Sequence, residues 1–229
     1  MGMRLDQVLE ELRSHGSRSN VEGMARFGIS STNTLGVSMP TLRGMARRIG
    51  RDHELALALW ETGVHEARIL AALVDEPMRV TEAQMERWVG ELNSWDVCDQ
   101  CCSNLFDKTE FAYGKALKWS ERGEEFVKRA GYSLMAALAV HDKKAPDEAF
   151  EAFLPAIRRG ATDGRNLVKK AVNWALRQVG KRNLSLNRKA LALARELATA
   201  DSRTARWVAS DAIRELESDS VRRRLRRSS

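Results

Sequence analysis

Apolar residues recur every three or four positions along most of this chain, the period of a helix with one buried face. The first run sets Leu5, Val8, Leu9 and Leu12 on one side and stops at Gly16. In "SMPTLRGMARRIG", Ser38 and Pro40 make a helix start, Leu42, Met45, Ala46 and Ile49 give the apolar face, and Gly50 closes it. "DHELALALWETG" and "HEARILAALVDEP" read as two short helices across a tight glycine turn, with Pro77 ending the second. Thr81 and Gln84 then stand at capping-box spacing ahead of another amphipathic run.

The pattern continues through "SWDVCDQCCSNLFDK", "EFAYGKALKWSER", "EEFVKRAGYSLMAALAVHD", "APDEAFEAFLPAIRRG", "RNLVKKAVNWALRQVGKRN", "SLNRKALALARELA" and "SRTARWVASDAIRELE". Each predicts a helix of a few turns, and no stretch carries the two-residue alternation of a strand. Only four prolines and no long linker interrupt them, which suits antiparallel helix pairs stacked as an all-α solenoid. Exact repeats are absent, so a compact helical bundle is the alternative. Residues 1–219 read as a single helical-repeat domain and residues 220–229 as a basic tail, compatible with a disordered arm.

The longest apolar run, Leu134 to Val140, is too short to cross a bilayer. The opening "MGMRLDQVLEELRSHG" alternates charge with leucine instead of presenting a secretory core, so a cytoplasmic location is expected. Charge changes the picture more. Residues 1–119 hold 14 Lys and Arg against 17 Asp and Glu, while residues 120–229 hold 24 against 14. The net is −3 and then +10, which makes a polyanion a plausible partner for the second half. The concave face of a solenoid is where a long polyanion would lie.

The segment "LNSWDVCDQCCSN", residues 92–104, concentrates unusual chemistry. Cys98, Cys101 and Cys102 form an odd cluster, not a disulfide framework. A structural zinc site wants four Cys or His ligands, and no second pair accompanies them. A redox dithiol would follow a strand, and none is predicted. The expectation is reduced, buried packing residues, with no metal and no cofactor.

Trp95 and Asp99 are four apart and so share one helix face, while Asp96 points elsewhere. Core packing of the indole and a surface or capping carboxylate remain open for this pair. In the penultimate basic segment Lys170, Trp174 and Arg177 fall near one face, an indole among cations that reads either as core with snorkelling lysines or as a plate between phosphate anchors. Arg43, Arg47 and Arg51 line a further row.

Taken together, the chain resembles the AlkD-type DNA alkylation-repair glycosylases, an all-helical family of HEAT-like repeats. The likeness spans roughly residues 20–215 and rests on "FGISSTNTLGVSMPTLRGMAR", "LALALWETGVHEARILAALV", "LNSWDVCDQ", "FVKRAGYSLMAAL" and "RNLVKKAVNWALRQVGKRN", in that order. The resemblance implies catalytic roles for Asp99, Trp95, Trp174 and Arg129, Lys128 being the neighbour that competes with Arg129 for its place.

It also implies excision of cationic alkylpurines such as 7-methylguanine and 3-methyladenine from double-stranded DNA by a monomer without an obligate protein partner. Alkylation puts positive charge on the base, so the leaving group needs no general acid and one carboxylate suffices where an ordinary glycosidase uses two. Asp99 would stabilise oxocarbenium-like charge at C1′ and orient water, the indoles would face the deoxyribose, and Arg129 would keep Asp99 ionised. The family grips the lesion's backbone, so no deep base-specific pocket is implied. Arg43, Arg47, Arg165, Lys169, Lys170, Arg177 and Lys181 are the candidates for phosphate contacts. A non-catalytic helical-repeat module that binds damaged, bent or branched DNA is the rival reading.

Overall fold

The computed structural model describes residues 4–227. Its contacts divide the chain into two compact units, residues 1–109 and 110–229. Among the described residues there is no strand, and no helix is long and apolar enough to cross a membrane.

The first unit contains α1 (Leu5–Ser14), α2 (Arg18–Ala25), α3 (Met39–Ile49), α4 (His53–Glu61), α5 (His65–Val74), α6 (Glu82–Gly90) and α7 (Trp95–Asn104), with 3-10 turns at Pro77–Arg79 and Phe106–Lys108. Helix α4 folds back on α5 across Gly63, whose φ of 66° allows the tight turn, and α5 also packs on α3 and α7. The expected start of α3 is in place, with the Ser38 hydroxyl accepting from Thr41 N and Gly50 closing the helix at φ 80°. At the core Trp60 and Trp88 lie flat on each other, their centroids 4.0 Å apart, and the Trp60 indole N–H donates to Glu91 at 2.6 Å.

Two fully buried carboxylates fasten this unit. Asp75 accepts from His53 Nδ1, Gln84 Nε2 and Glu76 N, at 2.6, 2.6 and 2.7 Å. Gln84 is therefore spent on Asp75, and the expected capping box is only half made: the Thr81 hydroxyl accepts from Gln84 N at 3.1 Å. Glu66 accepts from the backbone N–H groups of Leu35, Gly36 and Val37, at 2.9, 2.6 and 3.3 Å, and so holds the loop that leads into α3.

Helix α2 was not legible in the sequence because it buries none of its side chains and lacks an apolar stripe. Ser17 caps it, and Asn20 Nδ2 donates to Gly36 O at 2.8 Å. Gly36 has φ 79°, and a Cβ there would stand 2.2 Å from Ser17 O, so only glycine lets the loop and α2 meet.

The second unit contains α8 (Ala112–Ser120), α9 (Glu125–His141), α10 (Asp147–Glu151), α11 (Leu154–Gly160), α12 (Asn166–Gly180), α13 (Leu184–Ala198), α14 (Arg203–Leu216) and α15 (Asp219–Arg227). Helix α9 is buried almost all round from Val127 to Ala139 and packs on α8 and α12; α12 in turn meets α13 and α14. Gly131 permits the close α8 approach, since a Cβ there would lie 2.5 Å from Ser120 N. The single helix expected in "APDEAFEAFLPAIRRG" is broken into α10 and α11, because Pro155 has no N–H to continue it and opens the second piece instead.

The basic tail is a helix as far as Arg227, not an arm. Ser218 accepts from Val221 N at 3.4 Å, and Val221 and Leu225 are buried. Its last residues, Ser228 and Ser229, lie outside the described residues.

Replacing Glu66 by Gln puts an NH₂ group among the backbone donors and leaves at least one of them without an acceptor. The expected cost is about 1–3 kcal/mol, read as a lower urea midpoint at unchanged m-value.

Candidate nucleic-acid interface

Helix α7 turns Val97, Cys98, Cys101 and Cys102 into the core. Trp95 and Asp99, one turn apart, share the half-buried strip that flanks this inward face. Trp60, Trp88 and Trp119 are fully buried, whereas Trp95 is not. Its indole N–H donates to Phe27 O at 3.1 Å, which fixes the ring against the end of α2. The cysteines behind it are free thiols, and burial pushes those of Cys101 and Cys102 well up, so they are packing groups as expected.

Asp96 has a different task from Asp99. It accepts from His65 Nε2 at 2.9 Å, from the Ser94 hydroxyl, and from Val97 N at 3.0 Å. Burial pushes its carboxyl up, but the hydrogen bond and charge of His65, with Ser94 and Val97, outweigh that and hold it below the ordinary value. Asp96 thus anchors the first turn of α7 to α5 and sets the direction in which Trp95 projects.

Two cavities flank α7 within this unit. One, of about 520 Å³, is walled by Met24, Phe27, Val37, Met39, Ile69 and Trp95 among others; it is mainly apolar, a hollow beside the indole that the sequence did not suggest. The other, of about 400 Å³, is basic and brings Arg43, Arg47 and Arg51 together with Asn104 at the far end of α7 and Lys108 in the 3-10 turn that follows. Arg43 and Arg47 stand exposed there. Arg51 continues their row but donates to Leu73 O and Asp75 O, and so caps α5. Asn104 and Lys108 were missed, because their place beside Arg47 follows from the packing of a 3-10 turn and leaves no periodic signal.

In the second unit Arg129 is 5% exposed and donates through Nη1 to Leu167 O at 2.7 Å, in the first turn of α12. Lys128 lies half-buried, 3.5 Å from Asp163. Trp174, midway along α12, is half-buried like Trp95. With its amide in the orientation that suits its neighbours, Gln178 accepts from the Trp174 indole N–H at 3.0 Å.

The five cations expected to meet phosphates in this unit divide sharply. Lys170 is exposed, and Lys169 sits over the Trp207 ring, 4.9 Å from its centroid. Arg165 pairs with both oxygens of Asp163, at 3.0 and 2.6 Å, and with Gly123 O. Arg177 pairs with Glu215 and Asp211, and Lys181 with Glu215 at 2.5 Å. Asp211 and Glu215 stand four apart on α14, facing the row that Arg177 and Lys181 make on α12. Burial pushes the Glu215 carboxyl up, yet Lys181 and Arg177 together hold it below its ordinary value. Three of the five charges are therefore already partnered inside the unit.

The first unit thus sets a basic groove at one end of α7 and a half-buried tryptophan and aspartate along it, within an all-helical architecture. Residues 8–216 match the family model of DNA alkylation repair enzymes, and the chain belongs to that family. A Listeria innocua protein, Lin0241, is 24% identical over 196 residues, which cover 84% of this chain and 85% of its own. A solved structure described as a new family of proteins related to the HEAT-like repeat DNA glycosylases, with affinity for branched DNA structures, matches with a TM-score of 0.78 at 21% identity. That match covers 93% of this chain and 95% of the other. The expected all-α, HEAT-like fold is thereby established.

Two outcomes test the charge assignments. Glu215→Gln removes the carboxylate that holds Lys181 and leaves Arg177 only its 3.7 Å approach to Asp211, so the slope of log K for DNA against log salt concentration should steepen by about 1, since each phosphate contact adds roughly 0.9. Arg165 is the main cause that pulls the Asp163 carboxyl from 3.8 down to about 2, against the opposing push of burial. A carboxyl depressed in the folded state contributes stability above its ordinary value and loses it as pH falls from 3.8 towards 2. In Arg165→Ala, carboxyl NMR should find Asp163 titrating close to 3.8, with a smaller loss of stability across that window.

Proposed function

We propose that this chain is a monofunctional DNA glycosylase that hydrolyses the N-glycosidic bond of cationic alkylpurines in duplex DNA. The observation that supports it best is the pair Trp95 and Asp99 on the half-buried side of α7, the helix whose other end borders the basic groove of Arg43 and Arg47. Trp60, Trp88 and Trp119, by contrast, are wholly in the core.

In this reading Arg43 and Arg47 hold phosphates and orient the duplex across α7. The glycosidic bond breaks with its electron pair passing to the cationic base, which leaves neutral. Asp99, negatively charged, stabilises the positive charge left at C1′ and orients the water that attacks it. The attacking water gives up its proton after the new C–O bond forms, and an abasic site remains. Trp95 supplies an apolar wall and a π face to the charged sugar. Trp174 and Arg129 take the sugar-facing and charge-holding roles that the resemblance assigns them, and 7-methylguanine and 3-methyladenine are the expected bases. No metal, cofactor or second subunit enters these steps, and the site of action is the cytoplasmic nucleoid.

The structural neighbour's affinity for branched DNA favours a second reading, a non-catalytic module that binds bent or branched DNA through the same cations. The two differ at Asp99, which binding alone does not need.

Release of free 7-methylguanine and 3-methyladenine from methylated duplex separates them. Wild-type protein is expected to release base, and Asp99→Asn to lose at least about 100-fold in single-turnover rate with DNA affinity kept or slightly raised. Tight DNA binding by wild type with no base released favours the second reading.

A further inference from the structure

The family match ends at residue 216, and the chain goes on to form one more helix, α15, from Asp219 to Arg227. Its first turn is capped by Ser218, and its two apolar side chains, Val221 and Leu225, are buried, with α14 as a packing partner. Arg224 donates to Lys181 O at 2.8 Å, which ties α15 to the end of α12. Arg222, Arg223, Arg226 and Arg227 are all exposed. They form two rows with i, i+4 spacing, four guanidinium groups within about 7.5 Å of helix length.

Arg222 approaches Glu217 only at 4.0 Å, and Arg223 donates to Asp219 O at 3.3 Å. The near carboxylates are few, because Glu217 is already paired with Arg195 at 2.7 Å. Arg224 also brings α15 to a cavity shared with Gln178. Gln178, which accepts from Trp174, lines a polar cavity of about 460 Å³ together with Lys143, Lys181, Arg182 and Arg224.

We infer that α15 is an additional nucleic-acid contact, a docked arginine helix that grips the phosphodiester backbone of duplex DNA outside the lesion. The inference rests on the DNA-binding reading above. Duplex DNA carries about one charge per 1.7 Å of axis and rewards each neutralised phosphate by counterion release. Guanidinium groups suit phosphate by their forked geometry. Held on a capped helix, they lose less freedom on binding than they would on a disordered arm. An anionic membrane fits less well. A helix that lies in a bilayer surface needs an outward apolar face, and the apolar residues of α15 are already spent on docking.

The test replaces Arg222, Arg223, Arg226 and Arg227 together by alanine. A control removes the same number of charges from α13 and α14, at Arg188, Lys189, Arg195 and Arg206. Circular dichroism and thermal unfolding confirm that both variants fold. For the α15 variant the log–log salt slope of duplex binding is expected to fall by about 2–3.5, at roughly 0.9 per phosphate. Its hydroxyl-radical footprint on methylated duplex should shorten, while single-turnover base release at saturating DNA stays as in wild type. An unchanged slope and footprint overturn the inference. So does an equal fall in the control, which would make the effect one of net charge. Loss of binding to phosphatidylserine vesicles with DNA binding intact would overturn it in favour of a membrane. Base release by a variant whose slope has not moved leaves the glycosylase reading standing alone, whereas a wild-type chain that binds no DNA removes both.

Discussion

The arrangement of the first unit depends on two consecutive residues at the start of α5. Glu66 sinks its carboxylate into the unit and collects three backbone N–H groups from the loop before α3. His65 meanwhile reaches Asp96 at the start of α7, and its own N–H donates to Asn33 O at 2.8 Å. Burying a carboxylate is costly unless its lone pairs are filled. Here they are filled by the loop whose course they fix. Arg43 and Arg47 follow on one side of that anchor, and Trp95 and Asp99 on the other. Two candidate surfaces that are far apart in sequence are thus held by one turn of helix.

Charge in the second unit is organised differently. The sequence shows +10 over residues 120–229, but much of that charge is used internally, by Arg165 on Asp163, by Arg177 and Lys181 on Glu215, and by Arg182 on the carbonyls of Ala139 and Asp142. Among the described residues, exposed cations such as Lys143, Lys144, Lys170 and Arg188, with the outer face of α15, are what stays open to a polyanion. Formal charge therefore overstates the binding surface, because the pairs that join helices draw on the same residues.

Helices with an apolar stripe were legible from periodicity alone, and so in part was the partition of α7. The sequence predicted buried packing for Cys98, Cys101 and Cys102 and one shared face for Trp95 and Asp99, while core packing of the indole stayed open until the structure placed that face at the half-buried edge. Three of the features that were not legible show why. Helix α2 has no stripe, since its polar face and a single capping serine hold it to the Gly36 loop. Gln84 stood at capping spacing but was drawn away by buried Asp75, a long-range competitor invisible to local pattern. The pairing of Arg177 and Lys181 with Glu215 joins α12 to α14 across 38 and 34 residues, a distance at which spacing says nothing. Local chemistry is readable from sequence to the extent that no partner from elsewhere in the fold bids for the same group.

The hollow under α2 gives the first unit a mechanical property. A helix that buries no side chain spans about 520 Å³ of largely apolar space between itself and α3, α5 and α7. The space is open at its rim, so α2 is fastened along one edge, through Ser17 and Asn20, and not by an apolar face. Its local opening exposes little buried surface and should precede unfolding of the Trp60–Trp88 core. Trp95, tied to Phe27 O on the rim of that space, is an indole placed to report the opening.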